Sequence, residues 1–348
     1  MPVASSWKLV VIAGFCCGLS GCDALSGVDI QGAGATFPAP LYKRWYLEYY
    51  RRHPEVRVNY QAIGSGAGIR QFTADLVEFG ASDAAMSDKE IEEAEKQNPR
   101  RGHVLLFPMT AGSIAVCYNV PGAPRDLKLS RQVYVDIFLG KITDWNDSAI
   151  ATLNPEAQLP DLPITVVRRS DGSGTTFAFT NHLGAASKEW KETIGVGKSV
   201  AWPVGIGGKG NAGVAAWIDQ TPGAIGYLEY GYAELLGLAM ARLENKAGHY
   251  VAPNLASGRA ALEGLVIPDN LRVWLPDPAG AEAYPIVTYT WILCYTNYDD
   301  KPDRAAALRN VLDFCLTEGQ QWSAELGYIP LPALLADRAR MAVQNIKP

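Results

Sequence analysis

The sequence is short of the features that mark several large functional classes. It has no polybasic stretch: its longest basic clusters are the pairs Arg51–Arg52, Arg100–Arg101 and Arg168–Arg169, and its net charge is −5. A nucleic-acid binder shows a basic surplus or a basic stripe, so no nucleic-acid partner is expected. Beyond Cys22 only Cys117, Cys294 and Cys315 remain. At most one disulfide is possible among them, and a disulfide scaffold is excluded. No Cys-x-x-Cys pair follows Cys22, and His53, His103, His182 and His249 show no metal-ligand spacing. Neither a metal nor an organic cofactor is expected. The Walker A pattern is missing, Gly64–Gly68 reads G-S-G-A-G where a dinucleotide fingerprint needs G-x-G-x-x-G, and Ser173 sits in D-G-S-G-T, which is not a nucleophile elbow. On a helix starting near Ser173, His182 would lie more than two turns away, so it reads as a packing or surface histidine. Aromatic residues, at 10%, are too ordinary to indicate sugar stacking.

What is present begins with an N-terminal export signal. The run Leu9–Leu19 is mostly apolar but falls short of the ~20 residues that span a bilayer. Residues 1–21 read as a signal peptide. Leu19-Ser20-Gly21-Cys22 resembles a bacterial lipobox. That resemblance implies lipidation at Cys22, a membrane anchor and a tether over residues 22–30.

The remainder suits about two domains for a 348-residue chain. Apolar residues alternate between helical and strand spacing. "LYKRWYLEYYRRHP" places Leu41, Trp45 and Tyr49 on one helical face and stops at Pro54. "VRVNYQAIG" alternates as a half-buried strand does. Gly64–Gly68 reads as a turn with a helix from Ile69. "HVLLFP", "SIAVCYN", "ITVVRR" and "PIVTYTWILCY" read as strands, and "RAAALRNVLDFCLTEGQQWSAELG" as one long helix. Strands alternating with helices imply an α/β protein with mostly parallel sheets. No linker marks a boundary, which suggests two domains joined by strands.

Three stretches share one design: a strand, a turn of Gly, Ser and Thr, then a helix. They are "GAGATFPAP" at 32–40, "IGSGAGIRQF" at 63–72 and "RRSDGSGTTF" at 168–177. A helix N-terminus exposes unpaired N–H groups and the positive end of the dipole. Glycine admits an anion close to the backbone, and hydroxyls add donors. One such turn is ordinarily an N-cap. Three of them, one carrying an arginine, point to an oxyanion site.

With "EFGASDAAMSD", "WPVGIGGKGNAGVAAWI" and "PGAIGYLEYGYA" added, these motifs resemble, from about Gly32 to Asn345, the periplasmic phosphate-binding proteins of phosphate-specific ABC transporters, the PstS family. The resemblance implies a two-lobe periplasmic-binding-protein fold with hinge strands and a ligand cleft between the lobes. Lobe I would comprise 31–112 and 287–348, and lobe II 113–286. It implies a monomeric, non-enzymatic receptor for inorganic phosphate that delivers its ligand to an ABC permease. By motif, Thr36, Phe37, Ser65, Ser173, Gly174 and Thr175 would donate to the anion. Arg169 would clamp it, with Asp171 orienting the guanidinium. Asp83 would accept the ligand's own proton. The chain departs from the family pattern in the loop at Gly64–Gly68 and at Ser170. Cys117 and Cys294 would lie in the two strands that cross between lobes, near enough to each other for their redox state to matter. Free thiols are expected, because cross-strand disulfides strain sheet geometry. Two alternatives stay open: a receptor for another tetrahedral oxyanion such as sulfate or arsenate, and a secreted phosphatase-like protein.

Overall fold

The computed structural model describes residues 27–347. The signal peptide, the lipobox with Cys22 and most of the expected tether lie outside the described residues. β1 (Val28–Gly34) starts within the stretch expected as tether. It is followed by α1 (Ala39–Arg52), β2 (Val56–Ala62), α2 (Ser65–Thr73), β3 (Phe79–Ser82), α3 (Asp88–Gln97) and β4 (Val104–Tyr118). Next come β5 (Lys128–Leu129), α4 (Arg131–Leu139), α5 (Ser148–Ala151), β6 (Thr165–Arg169), α6 (Gly174–Ala186) and α7 (Lys188–Thr193). Then follow β7 (Ile206–Gly208), α8 (Gly210–Gln220), β8 (Ala224–Glu229), α9 (Tyr230–Leu236), β9 (Ala239–Met240), β10 (Arg242–Glu244) and β11 (Tyr250–Val251). The last elements are α10 (Leu255–Leu262), β12 (Val287–Tyr295), α11 (Pro302–Leu316) and α12 (Ala333–Val343).

The main sheet runs in the order β2-β1-β3-β12-β4-β8-β6-β7, with β9 also paired to β4. Its outer pairs, β1 with β2 and β3 and β6 with β7 and β8, are parallel. The centre is antiparallel: β12 with β3 and β4, and β4 with β8 and β9. The sheet is therefore mixed, where strand–helix alternation alone suggested mostly parallel strands. The difference comes from β4, which the pattern divided into two strands at Pro108. Proline cannot donate to a ladder and usually ends a central strand. Here the register slips opposite it, with Thr290 facing Thr110 and Trp291 facing Pro108. A bulge at Met109 absorbs the missing donor and the strand continues.

β4 joins two halves of the molecule. Up to Ser113 it pairs with β12, and from Ile114 it pairs with β8. At ~3.4 Å per residue its 15 residues span about 50 Å. The strand carrying Cys294 was expected to cross in the same way, but β12 pairs only with β3 and the first part of β4. The return crossing lies just before it, where Ile114 N–H donates to the Ile286 carbonyl. Pro285, which precedes Ile286, has no N–H to extend the ladder.

Each half packs its own aromatic core. In the first, Tyr42 stacks on Trp45, and Tyr60 stacks on Phe79. In the second, Tyr227 stacks on Phe179 with centroids 4.2 Å apart, and Trp202 covers its other side. Such pairs contribute roughly 0.5–1.5 kcal/mol each beyond their burial. Two expected element limits move. α2 begins at Ser65 rather than Ile69, so the glycine turn is already the first helical turn. The long C-terminal helix stops at Leu316, because Gly319 beyond it packs directly against Trp45, whose indole N–H donates to the Gly319 carbonyl.

Cys294 faces Leu105 and Cys117 faces Gly226. Positions 105 and 117 of one strand lie about 40 Å apart at ~3.3 Å per residue, so these thiols are remote from each other. All three described cysteines are free and buried, and burial raises the pKa of each thiol. We expect a soluble form spanning residues 25–348 to react slowly with a thiol reagent when native and to yield three thiols when denatured. Fewer than three in the denatured chain would contradict this arrangement.

Candidate functional site

The three glycine–hydroxyl turns meet where the two halves face each other. α1 and α2 approach from the first half and α6 from the second. Ser173 is the N-cap of α6: its Oγ accepts from the Thr176 N–H at 3.0 Å. Ser65 Oγ accepts from the Asp83 N–H at 3.2 Å. Thr36 Oγ1 accepts from both the backbone N–H and the Nδ2 of Asn211, at 3.2 and 3.0 Å. Thr175 Oγ1 accepts from Arg169 Nη1 at 3.3 Å and from Asn211 Nδ2 at 3.5 Å. All four hydroxyl groups are buried. Each accepts from the protein; Ser65 also hydrogen-bonds to the Asp83 carboxylate, whereas among the described residues Thr36, Ser173 and Thr175 give their protons to no protein acceptor. Four buried hydroxyls thus come together at the starts of three helices, three of them with a proton free to donate.

The halves approach closely at glycines. Gly66 N–H donates to the Gly172 carbonyl across the cleft at 2.8 Å. A Cβ on Gly174 would stand 2.6 Å from Ser65 Oγ and 2.7 Å from Asp83 N. The conformation is closed, with α6 pressed against the loop that carries Asp83.

Arg169 is 4% exposed and lies at the end of β6. Its Nε and Nη2 donate to the two oxygens of Asp171 at 2.8 and 2.5 Å. Asp171 Oδ1 also accepts from Gly210 N–H at 3.0 Å, at the start of α8. Burial raises the Asp171 pKa, but the Arg169 hydrogen bonds and charge outweigh it and keep the carboxyl below its usual range. Arg168 points elsewhere: its Nη1 reaches only the Arg169 carbonyl. The guanidinium fork is held bidentate on one side, with Nη1 turned to Thr175.

Asp83 is 2% exposed, and Oδ1 accepts from Thr290 Oγ1 at 2.9 Å. Burial pushes its pKa up to about 7, against the Thr290 hydrogen bond and the Arg169 charge. Phe37 is fully buried; its carbonyl accepts from Tyr328 Oη at 2.7 Å, and its ring packs edge-on against Tyr328. Every expected site residue other than Cys22 therefore belongs to one cluster. His182 is packed inside lobe II, between Tyr134 Oη at 2.8 Å and the Pro276 carbonyl at 2.9 Å, where burial lowers its pKa to about 4. Among the described residues no group of acids, cysteines and histidines has metal-binding geometry.

The PBP superfamily domain matches residues 23–318. The chain is similar to the phosphate-binding protein PstS of Pasteurella multocida, 44% identical over 309 residues that cover 87% of this chain and 86% of that one. It is also similar to PstS of Haemophilus influenzae, 41% identical over 308 residues covering 88% and 89%. The chain belongs to the PstS family. Solved structures at lower identity share its fold. A high-affinity periplasmic phosphate-binding protein bound with phosphate superimposes with a TM-score of 0.75 at 24% identity, over 90% of this chain and 93% of that one. A phosphate-binding protein from Stenotrophomonas maltophilia gives 0.74 at 20%, with the same coverage. The fold is thus the two-lobe binding-protein fold, with lobe I built on β1, β2, β3 and β12 and lobe II on β6, β7 and β8.

Three residues of this PstS-family site escape a reading by turns. Asn211 is fully buried, donates to Thr36 across the cleft, and accepts from Glu229 N–H at 3.0 Å. Tyr227 Oη contacts Thr176 Oγ1 at 2.6 Å and accepts from Arg169 N–H at 3.3 Å. Thr290, on β12, holds Asp83. Only "GKGNAG" offered a signal, a small-residue helix start like the other three.

Two predictions follow from the closed geometry. Gly174→Ala improves intrinsic helix propensity by about 1 kcal/mol, yet its methyl cannot fit against Ser65 and Asp83. The variant should stay folded but fail to close. Small-angle scattering should show a larger radius of gyration than wild type; equal compactness would contradict the packing. The second concerns pH. The folded-state pKa of Asp83 is raised, so its contribution to stability is present below the unfolded carboxylate range of ~4 and is lost as pH rises through about 7. The Glu229 carboxyl, which burial pushes up to about 8, acts with the same sign. Without added anions, the two groups should make stability fall between about pH 4 and 8, with the Asp83 part complete near pH 7, at up to ~1.4 kcal/mol per pH unit per proton lost. Denaturant titrations should give a shallower fall for Asp83→Asn than for wild type.

Proposed function

We propose that the closed cleft binds inorganic phosphate and that the protein delivers it to an ABC permease. Thr36, Ser65, Ser173 and Thr175 donate through their hydroxyls. Phe37 and Gly174 donate through backbone N–H groups, Arg169 supplies the fixed positive charge, and Asp83 accepts a proton carried by the ligand. The observation that carries this reading is the set of four buried hydroxyls, each already filled as an acceptor by protein donors. Thr36 and Thr175, which each accept twice, have only a proton left to give, which suits an acceptor-rich anion. Each helix start adds about half a positive charge, so α1, α2 and α6 together contribute about +1.5 without any net charge on the protein. The chain carries 36 acidic against 31 basic residues, so its overall charge is negative and capture depends on local dipoles in a dry cleft.

The receptor is monomeric and works outside the cytoplasmic membrane, held to a membrane by lipid on Cys22. It is a carrier rather than an enzyme. In support, no buried hydroxyl of the site has a histidine base within hydrogen-bond reach, and His182 is turned into the core of lobe II. Left uncleaved, a chromogenic phosphate ester would separate this reading from a phosphatase.

Asp83 favours phosphate over sulfate. Near neutral pH phosphate retains a proton and sulfate does not. A sulfate oxygen would face a buried carboxylate with no hydrogen bond between them. Sites built around one obligatory hydrogen bond reject the analogue that lacks it by roughly 10⁴–10⁵. Calorimetry on ligand-free protein at pH 8 should give tight phosphate and arsenate binding and no sulfate binding. Asp83→Asn should narrow the phosphate-to-sulfate ratio, and wild-type affinity for sulfate equal to that for phosphate would overturn the reading. Arg169→Ala should weaken phosphate by roughly 2–5 kcal/mol, as truncation of one partner of a buried charge pair does. Arg168→Ala should cost far less, since its side chain faces away from the cleft.

A further inference from the structure

At the mouth of the cleft, away from the four hydroxyls, the start of α3 is gripped by two cations. Lys198, in the loop after α7 of lobe II, forms an ion pair with Glu90 of lobe I. The side chains of this pair are 23% and 31% exposed, so the pair lies at the edge of the closed interface. Glu90 does two things at once. Its Oε2 completes the capping box of α3 by accepting from Ser87 N–H and Oγ, while Oε1 takes the lysine. Burial raises the Glu90 pKa, but the Lys198 and Ser87 hydrogen bonds outweigh it and hold the carboxyl low. The backbone of Lys198 is tied to the anion turn, because its carbonyl accepts from Ser173 N–H at 2.8 Å. One residue therefore connects the N-cap of α6 in lobe II to the helix that follows Asp83 in lobe I.

The second cation is Arg272. Its Nη1 donates to the Met86 carbonyl at 3.0 Å, and Nη2 pairs with Asp88 at 2.6 Å. It belongs to a strap between α10 and β12 that the sequence-based division puts wholly in lobe II. The hydrogen bonds of the strap run to both lobes. Arg338 and Trp291 of lobe I donate to the Ile267, Pro268 and Leu271 carbonyls. Farther along, Asp277 is held bidentate by Arg131 at 2.9 and 2.9 Å, and Pro276 by His182, both in lobe II. From position 272 to 277 the chain can span at most about 17 Å. While Arg272 and Arg131 keep their grips, the separation of α3 from α4 is limited to that span plus the reach of the two arginine side chains.

We propose that Lys198–Glu90, backed by the Arg272 strap, is a clasp that sets how long the cleft stays closed, and hence the release rate of its ligand, without touching that ligand. The inference rests on the reading of the cleft as a phosphate site. The pair closes only when the lobes meet, so its energy counts in the closed state alone, which is what changes a dissociation rate rather than an encounter rate. Partly exposed pairs contribute up to ~1 kcal/mol, or up to about a fivefold change in rate.

The test is a double-mutant cycle on the full mature protein with Lys198→Met and Glu90→Gln. Met keeps the apolar stem, and Gln keeps the capping acceptor. Phosphate release is followed by stopped flow, and lobe separation by small-angle scattering. Each single variant should release phosphate about two- to fivefold faster than wild type, with association changed less than twofold. The double variant should be no faster than either single one, and high salt should speed wild type but not the double variant. Unchanged release in the single variants, or additive effects in the double, would overturn the clasp. Should wild type fail to bind phosphate, the ligand reading falls. The clasp is then judged by scattering, where it requires Lys198→Met to populate a more open form at low salt, and unchanged scattering overturns it.

Discussion

The ion pair between Arg169 and Asp171 is the constraint on which the rest of the site depends. A guanidinium 4% exposed at the end of a strand cannot stand alone in a low-dielectric interior, and one bidentate carboxylate neutralises it. That pairing fixes the plane of the fork and leaves Nη1 pointing at Thr175. It also sets the geometry beyond itself. Asp171 takes Gly210 N–H, which brings the start of α8 beside the start of α6 and places Asn211 over Thr36 and Thr175. The Asp171 charge also works against the pull of Arg169 on Asp83, whose carboxyl stays raised by its burial.

The mixed sheet explains how two lobes can move while the cleft remains well defined. β4 is one continuous strand whose partner changes from β12 to β8 between Ser113 and Ile114. Bending at that change of partner costs few ladder hydrogen bonds, because each lobe keeps its own pairs. Glu229 lies beside it, opposite Ile114, and caps α9 through Gly231 and Tyr232 N–H while accepting from Tyr328 Oη of lobe I. The hydroxyl of Tyr328 has one proton and two acceptors, Phe37 O at 2.7 Å and Glu229 Oε2 at 3.2 Å. A protonated Glu229 would satisfy both, because its own O–H could then donate to Tyr328. The same burial that raises Glu229 therefore supports the loop holding Phe37.

Much of the site was legible because its donors come from local turns. Thr36, Ser65 and Ser173–Thr175 each sit at a helix start a few residues after a strand, and Asp83 ends another strand; short-range pattern suffices for such groups. Asn211, Tyr227 and Thr290 were not legible, since their roles arise only when separate elements meet. Thr290 touches Asp83 from more than two hundred positions away. The fold was misread at the same kind of place. Pro108 looks like a strand end until the bulge opposite Thr290 and Trp291 is known, and the C-terminal helix looks longer until Gly319 is seen against Trp45. Local propensity spoke in each case and a tertiary contact overrode it.

Closure and selectivity are consequences of one another in this arrangement. An exposed Asp83 would be solvated, would titrate near the ordinary carboxylate range, and would repel every anion weakly and without discrimination. Burial by α6 raises its pKa to about 7 and removes the water that would screen it. On the proposed reading, once ionised that oxygen gains a hydrogen bond only from a ligand that brings a proton. The glycine at position 174 permits the burial, since any side chain would keep α6 off Ser65 and Asp83. On the proposed reading, discrimination between anions of similar shape depends on closure as well as on Asp83, and it weakens as the cleft spends more time open.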